Sequence, residues 1–347
     1  MNNLIVKDDN LTVMQNLIDE GYSGTIDLVY IDPPFATNQT FRISENRAAT
    51  ISPLRNGSIA YADKFTLESY LDFIRPRVKL IHRLLSNKGT LYFHIDYKIG
   101  HYVKVMLDEI FGFNNFKADI TRIKCNPKNF RRKNYGNVKD MILFYTKTHN
   151  YIWNDVGIAV TDCDIEKRYS KIDENGKRYT TVPLHAPGET INGESSKPFK
   201  GTSPPKGRHW RYSPRELEKL YDNGMIEISK TGNMRMKRYA DDYMDKKIQD
   251  IWEYKDPQYP NYPTQKNQDM SDLIVLNSSK ADSIVMDCFC GGGTTLVSAY
   301  KLGRRFIGID ESEAAIQQTL KSLKNLDSLN FDTIKVSTGI ILQKTKQ

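Results

Sequence analysis

Residues 283–310 read SIVMDCFCGGGTTLVSAYKLGRRFIGID, and this stretch decides the fold. The run 283–287 is short, apolar and β-branched, which suits a buried strand; Gly291, Gly292 and Gly293 then let the chain turn sharply, a helical stretch starts at Thr294, and a second apolar run over 305–310 ends on Asp310. Strand, glycine turn, helix and strand make the repeating unit of a parallel α/β sheet. Glycines at such a turn let the backbone approach a ligand at the helix N-terminus. Asp310, 19 residues after Gly291, stands where an acid takes up ribose hydroxyls in dinucleotide-type sites. No Lys-Ser/Thr pair follows the glycines, so this is not a phosphate loop, and Leu296 holds the place of the third glycine in G-x-G-x-x-G. By itself the turn also fits any tight α/β connection.

The same alternation runs outward from this unit. Residues 4–6 and 26–31 read as buried strands with a helix over 11–17 between them, and Leu67, Leu71, Ile74, Val78, Ile81 and Leu85 recur at helical spacing until Asn87-Lys88-Gly89. A strand over 90–95, a helix over 99–110 and a strand over 141–145 follow, and a helix over 268–279 leads into the glycine-turn unit. Residues 151–260 break the rhythm with prolines, glycines, tyrosines and charge, and no helix period persists there. The expected organisation is therefore one sheet domain assembled from both chain ends, 1–150 and 261–347, around an insert at 151–260.

Fifty Lys+Arg against 42 Asp+Glu leave a net charge of +8 on 347 residues, 39% of them hydrophobic. This balance excludes disorder and fibrous repeats, no apolar run approaches the ~18 to 20 residues of a membrane helix, and the start lacks a secretion-signal layout, so a cytoplasmic chain with no membrane association is expected. Four cysteines without a C-x-x-C pair predict neither a disulfide framework nor a metal site, and the six histidines, His94 among them, read as surface or structural residues. The basic surplus is clustered. Residues 122–139 (RIKCNPKNFRRKNYGNVK) and 197–215 (KPFKGTSPPKGRHWRYSPR) carry no acid and interleave aromatics. Such stretches bind phosphates and stack bases, or else form a solvated surface over a small core.

A second constellation, Asp32-Pro33-Pro34-Phe35, follows the strand at 26–31. Two prolines lock the backbone and remove two N–H donors, leaving the Asp32 carboxylate and local carbonyls as a rigid set of acceptors beside an aromatic face. That set suits an exocyclic NH2 group. The amino nitrogen of adenine or cytosine is a poor nucleophile because its lone pair is delocalised into the ring; hydrogen bonds from its N–H groups to Asp32 and the Pro33 carbonyl favour an sp3-like nitrogen with a freer pair, while Phe35 stacks on the base.

With both motifs in this order, the chain resembles the amino-group DNA methyltransferases that use S-adenosylmethionine, in the subgroup with D-P-P-Y/F before the recognition region and F-x-G-x-G after it. The tract Tyr262-Pro263-Thr264-Gln265-Lys266, the glycine turn and 302–310 are similar to that family's closing third, and 89–96, 207–212 and 250–252 are similar to members as well. The resemblance implies an α/β, Rossmann-like seven-stranded methyltransferase sheet with one antiparallel strand and an inserted target-recognition region. It implies catalytic roles for Asp32, Pro33, Pro34 and Phe35. Cofactor contacts would come from Asp9, Lys266, Asp287, Phe289, Gly291, Gly293, Thr294 and Asp310. In this chain Asp8 stands where relatives usually have glycine, Phe35 replaces the commoner tyrosine, and Asn267 replaces a proline.

In this reading 1–150 is the catalytic half, 151–260 the recognition region with the basic stretch from about 122 contributing, and 261–347 the cofactor half. DNA contacts are expected from Arg122, Lys124, Arg131, Arg132, Lys133, Arg208 and Arg211. Double-stranded DNA is the expected partner, with a homodimer and a cognate restriction endonuclease as candidate partners, and no metal is required. Three functions fit: methylation of adenine N6 in a flipped-out base, methylation of cytosine N4 by the same machinery, and a DNA-binding specificity module whose activity has decayed. The intact motifs oppose the third, and the aspartate of D-P-P-F favours adenine by resemblance.

Overall fold

The computed structural model describes residues 3–35, 39–44, 47–48, 58–63, 65–127, 129, 131, 133–159, 161–229, 232–242, 245–258, 260, 262, 265–326 and 334–338. They fall into two compact units, Met1–Val156 with Gln249–Gln347, and Gly157–Ile248.

In the first unit, β1 (Asn3–Lys7), β2 (Ile26–Ile31), β3 (Leu85–Ile95), β4 (Phe116–Ile123), β5 (Lys139–Thr146), β6 (Ile251–Trp252), β7 (Ile284–Asp287), β8 (Arg305–Asp310) and β9 (Ile334–Thr338) form one sheet, in the order β6-β4-β5-β3-β2-β7-β8-β1-β9. Only β5 runs antiparallel to its neighbours, β3 and β4; all other pairings are parallel. The expected seven strands are β1 to β5, β7 and β8, and the two-residue β6 and the edge strand β9 extend the sheet on either side. Central strands read as continuous apolar runs because both faces are covered. Alternation assigns those faces: Leu91 and Phe93 lie in the core cluster under α1 (Asn10–Leu17), α2 (Leu67–Leu84) and α3 (Tyr97–Phe111), whereas the Tyr92 hydroxyl pairs at 2.8 Å with Ser278 at the end of α4 (Gln268–Ser278), on the opposite face. After the helices α5 (Thr294–Lys301) and α6 (Glu313–Lys324), the chain returns to the sheet edge.

The helix termini are written in the sequence. Thr66 and Ser69 form a reciprocal cap at the start of α2, and Tyr70, Ile74, Val78, Ile81 and Leu84 form its buried stripe. The strand expected over 90–95 starts five residues earlier, directly where α2 ends. The strand β4 carries the beginning of the first basic stretch into the sheet, which charge alone does not reveal.

The second unit holds a four-stranded antiparallel sheet of Lys171–Ile172, Arg178–Pro183, Met234–Tyr239 and Ile226–Ile228, and a hairpin of His185–Pro187 with Arg208–Trp210. Its core is Leu184, Phe199, Trp210, Leu217, Met234 and Met236. Although no helix period persists in its sequence, Asp162–Arg168 and Pro214–Asp222 are helical, the second opened by a Ser213/Glu216 capping box with Pro214 in the first turn. Leu217 is the one buried residue of this helix, too little for an apolar period to show.

Candidate active site

Parallel α/β sheets bind ligands beyond the carboxyl ends of their strands, and that edge of this sheet is acidic. Asp32 follows β2, Asp287 ends β7, Asp310 ends β8, and Asp8 and Asp9 follow β1. Because β7 pairs with β2 on one side and β8 on the other, D-P-P-F and the glycine turn leave neighbouring strands although more than 250 residues separate them in sequence.

The Asp32 side chain is held from two sides. Its Oδ2 is 2.5 Å from Lys266 Nζ, and its Oδ1 is 3.6 Å from His94 Nδ1. Oδ1 is buried and has no hydrogen-bond partner among the described residues. Phe35 lies 5.7 Å from the His94 ring, centroid to centroid, and Lys266 Nζ lies 5.4 Å over the Phe35 ring. Lys266, expected at the cofactor, is thus placed on the Asp32 carboxylate. Pro33 is buried and Pro34 half-buried, anchoring the turn.

Behind Asp32 runs a chain of buried polar groups that sequence reasoning missed. His94 is fully buried; its Nδ1 is 2.8 Å from the Tyr30 hydroxyl and its Nε2 is 3.3 Å from Asp140 Oδ2. Asp140 is in turn 2.6 Å from Lys124 Nζ and 3.5 Å from Arg122 Nη1. Arg122, fully buried, donates from Nε to the Tyr254 carbonyl at 2.8 Å and from Nη2 to Asp256 at 2.5 Å. Burial alone would raise the Asp140 carboxyl, but His94, Lys124 and Lys266 hold it far below the ordinary range; burial pushes His94 down and Tyr30 well up, which keeps both neutral. A signal existed: His94 is the one basic or acidic side chain among Lys, Arg, His, Asp and Glu in the run over 90–95, on the strand that pairs in register with the one leading to Asp32 (Ile31 opposite Phe93).

The glycine turn is built around its carboxylates. Gly291 N–H donates to Asp310 Oδ2 and Ser312 N–H to Oδ1, each at 2.9 Å, and Phe289 N–H donates to Asp287 Oδ1 at 3.1 Å. Gly293 caps α5 in the left-handed region at φ 80°, where a Cβ would also come within 2.8 Å of the Thr319 side chain, so only glycine fits. Thr294, half-buried, begins the helix, and Tyr262 lies against the turn. Burial, with the charges of Asp32 and Asp310 adding to it, pushes the Asp287 carboxyl up to about 7. Asp9 caps α1 by accepting from Thr12 N–H at 3.0 Å and pairs with Arg77 at 2.7 Å. Arg77 also donates to Asn10 Oδ1 at 2.5 Å, and Asn10 Nδ2 donates to the Cys288 carbonyl at 2.7 Å. The first and last segments of the chain are thereby latched together beside Phe289, whose ring is 6.2 Å from that of Phe73.

The residues expected on DNA divide by burial. Arg122 is fully buried against Asp140, which corrects its assignment to a phosphate, since in β4 the alternation that buries Ile120 also turns Arg122 inward; Lys124, ion-paired with Asp140, keeps part of its side chain exposed. Arg131 and Lys133 are exposed, and Arg132, with Phe130, Pro263 and Thr264, lies outside the described residues. Arg208 and Arg211, in the second unit, are exposed on either side of Trp210, and Arg208 Nη1 lies 3.2 Å from His185 Nδ1. Trp210 and Phe199 pack the core of that unit, which places these two aromatics in a small core, whereas Tyr135 of the first basic stretch is exposed.

A family model described as a DNA methylase, covering N6 and N4 enzymes, matches residues 26–321. The type II methyltransferase M.EcaI of Enterobacter cloacae is 39% identical over 326 residues, spanning 92% of this chain and 69% of that protein. The EcoPI Mod subunit of a type III restriction-modification enzyme, from Escherichia phage P1, is 23% identical over 401 residues, 96% of this chain and 60% of its own length. In fold, the chain is similar to the PvuII DNA methyltransferase, described as cytosine-N4-specific, with a TM-score of 0.50 at 12% identity over 96% of this chain and 90% of that one.

Proposed function

The chain belongs to the N6/N4 DNA methylase family, and from that premise we propose that it transfers a methyl group from S-adenosylmethionine to the exocyclic amine of a base rotated out of duplex DNA, with adenine N6 as the acceptor. The observation that carries the reading is the juxtaposition of Asp32 and Phe35 with the glycine turn on the adjacent strand. The acidic strand ends fit the cofactor. Burial lifts the Asp287 carboxyl to about 7 and the charges of Asp32 and Asp310 add to the lift, so a cationic ligand relieves the cluster where a phosphate would worsen it. Bound there, S-adenosylmethionine supplies a methyl made electrophilic by its sulfonium.

The protein's own residues do the rest. Asp287, Phe289, Gly291, Gly293 and Thr294 line the methionine end and Asp310 meets the ribose, each carboxylate oxygen keeping a lone pair beyond the backbone N–H it already accepts. Asp9 faces the adenine of the cofactor. With Oδ1 of Asp32 buried, an incoming amine reaches only Oδ2 and shares that oxygen with Lys266, whose ammonium occupies one of its lone pairs. Phe35 then stacks on the base. An amino group that faces its partner inside a duplex is accessible only after rotation out of the stack.

Recognition of the target sequence falls to the unit at 157–248, with the basic stretch from about 122 contributing through Arg131, Arg132 and Lys133, and with Arg208 and Arg211 on phosphates. The relatives in restriction-modification systems support a cognate endonuclease as a partner, and a homodimer follows from the resemblance of motif order. The choice of adenine rests on aspartate in D-P-P-F, where serine is commoner among cytosine-N4 enzymes of similar layout. Digestion of DNA from cells expressing the protein, with separation of the nucleosides by mass spectrometry, tests it: N6-methyladenine is expected, and N4-methylcytosine as the main product would overturn the choice of base.

A further inference from the structure

A buried carboxylate oxygen without a donor is costly, and native structures keep such an atom for a reason. Asp32 Oδ1 is one, and what faces it at 3.6 Å is the Nδ1 of a fully buried imidazole. The partners of that imidazole fix its tautomer. Asp140, ion-paired with Lys124 at 2.6 Å, can only accept, so Nε2 carries the hydrogen that points at it. Nδ1 then has a bare lone pair, and the neutral Tyr30 hydroxyl, 2.8 Å away, donates to it. Oδ1 and Nδ1, neither carrying a hydrogen, therefore lie 3.6 Å apart, and once the Tyr30 hydroxyl turns its hydrogen away from the single Nδ1 lone pair a proton there is shared between the Tyr30 oxygen and Oδ1. Carboxylate, imidazole and carboxylate in this order form a proton-holding arrangement, the outer carboxylate fixing the ring and stabilising its cation.

We infer that His94, held by Asp140, is a positioning residue that takes up, through Asp32, the proton the target amine gives up on methylation; this rests on the function proposed above. The amine lone pair forms the new N–C bond while the pair of the broken S–C bond stays on sulfur, which leaves the nitrogen one proton in excess. That proton passes to Asp32 Oδ2, and the N–H pair returns to the base. A half-turn about Cβ–Cγ, a soft two-fold torsion in aspartate, exchanges the two oxygens and presents the proton to Nδ1. The O–H pair returns to the carboxylate, and the proton resides on an imidazolium between Asp32 and Asp140, with the Tyr30 oxygen turned to accept from Nδ1. It leaves for water when the product departs. Asp32 is thus returned to its accepting form without opening the site.

Protonation before the reaction would fill the same position, so the acid side of the pH profile reports His94. Burial holds its pKa below the ordinary 6.5 and Lys266 pushes it further down, against the pull of Asp32 and Asp140; Tyr30, Arg122 and Lys124 complete the polar surroundings. In single-turnover methylation, the wild-type rate is expected to fall with an inflection below pH 6.5. His94→Gln should lower the plateau on the order of tenfold or more and abolish the inflection. Asp140→Asn should move the inflection to lower pH. In the ligand-free wild type at pH 8, 15N NMR of the histidines should show His94 protonated at Nε2 and bare at Nδ1, a readout that does not depend on activity or on any variant folding. Nδ1 found protonated at pH 8, or a His94→Gln profile with the wild-type inflection, overturns the inference. A wild type that binds S-adenosylmethionine but methylates no DNA overturns the underlying function as well, whereas a methylating wild type with Nδ1 protonated overturns this inference alone.

Discussion

On the proposed function, replacing Asp32 by alanine removes the one carboxylate oxygen that an incoming amine can reach. Oδ1 is buried against His94, so the whole charged interaction with the amine runs through Oδ2, the oxygen that Lys266 holds at 2.5 Å in the ligand-free protein. As the methyl arrives the amine becomes cationic, and its hydrogen bond to the carboxylate strengthens from a neutral contact to an ion pair shielded from water. Loss of one such transition-state interaction costs ~2.7–4 kcal/mol, or about 100- to 1,000-fold in rate. A second loss follows, because Lys266 is left a buried ammonium without its carboxylate, and Asp32→Asn should accompany the alanine variant to separate charge from shape. Single-turnover transfer of a radiolabelled methyl at saturating DNA gives the rate, and titration calorimetry gives the cofactor affinity. The expected result is a rate below one hundredth of wild type for both variants, with the S-adenosylmethionine dissociation constant unchanged within a few-fold, because no carboxylate–backbone bond of the glycine turn involves Asp32. Asp310→Ala should reverse the pattern by weakening the cofactor. Turnover of Asp32→Ala above about a hundredth of wild type, or a collapse of cofactor affinity with it, would refute the assignment of Asp32 to the amine.

Phe35→Ala should impair catalysis far more than Phe35→Tyr, and 2-aminopurine at the target position should brighten on binding to wild type; equal losses in the two variants would remove stacking from the mechanism. Replacing Arg131, Arg132 and Lys133 together by alanine should flatten the dependence of log K for DNA on log salt by up to ~0.9 unit for each phosphate no longer neutralised, and an unaltered slope would make the cluster a solvated surface. Arg122→Met should leave that slope unchanged but destabilise the fold by about 1–3 kcal/mol, measured by urea titration, because the Tyr254 carbonyl loses its donor while Asp140 keeps Lys124 and Asp256 is partly exposed. Asp287, raised to about 7 in the folded chain from an ordinary 3.8, keeps a proton that the unfolded chain sheds between those values, so its contribution is complete below pH ~4, falls by up to ~1.4 kcal/mol per pH unit as pH rises to ~7, and is flat above. Denaturation midpoints at pH 5, 6, 7 and 8 should show a shallower fall in Asp287→Asn, and parallel curves would mean that Asp287 is not held protonated.

Sequence and structure agree where chemistry is local. The glycine turn and D-P-P-F are made by residues within a few positions of one another, so their types and spacing carry the geometry. What the sequence hides is made by sheet pairing. His94 and Asp140 are 46 residues apart and meet because β3 and β5 pair antiparallel, with His94 opposite Ile142 and Ile95 opposite Met141. Arg122 escapes a linear reading for the same reason: a run of basic residues looks uniform along the chain, but strand alternation sends Arg122 to the interior while Arg131 and Lys133 stay exposed. Trp210 and Phe199 sit among basic residues in sequence yet supply the core of a small unit that has few other large apolar side chains to bury.

The placement of the insert also has a physical rationale. Asp32, His94, Asp140, Lys266 and the glycine turn all belong to the unit built from the two ends of the chain, and the second unit enters between Val156 and Gln249, after β5 and before β6. The latch from Arg77 through Asn10 to the Cys288 carbonyl joins the catalytic and cofactor segments without using any residue of the insert. Closing a longer loop costs little, about 0.6 kcal/mol for each doubling of its length, so the sheet tolerates wide variation in the size of what is inserted there. On the proposed division of roles, chemistry that serves any exocyclic amine can therefore stay fixed while the segment assigned to sequence recognition changes. On that basis, exchanging residues 157–248 with those of a relative should move the methylated site and leave the identity of the methylated atom as it was; a hybrid that still modifies the original sequence would place recognition in the sheet unit instead.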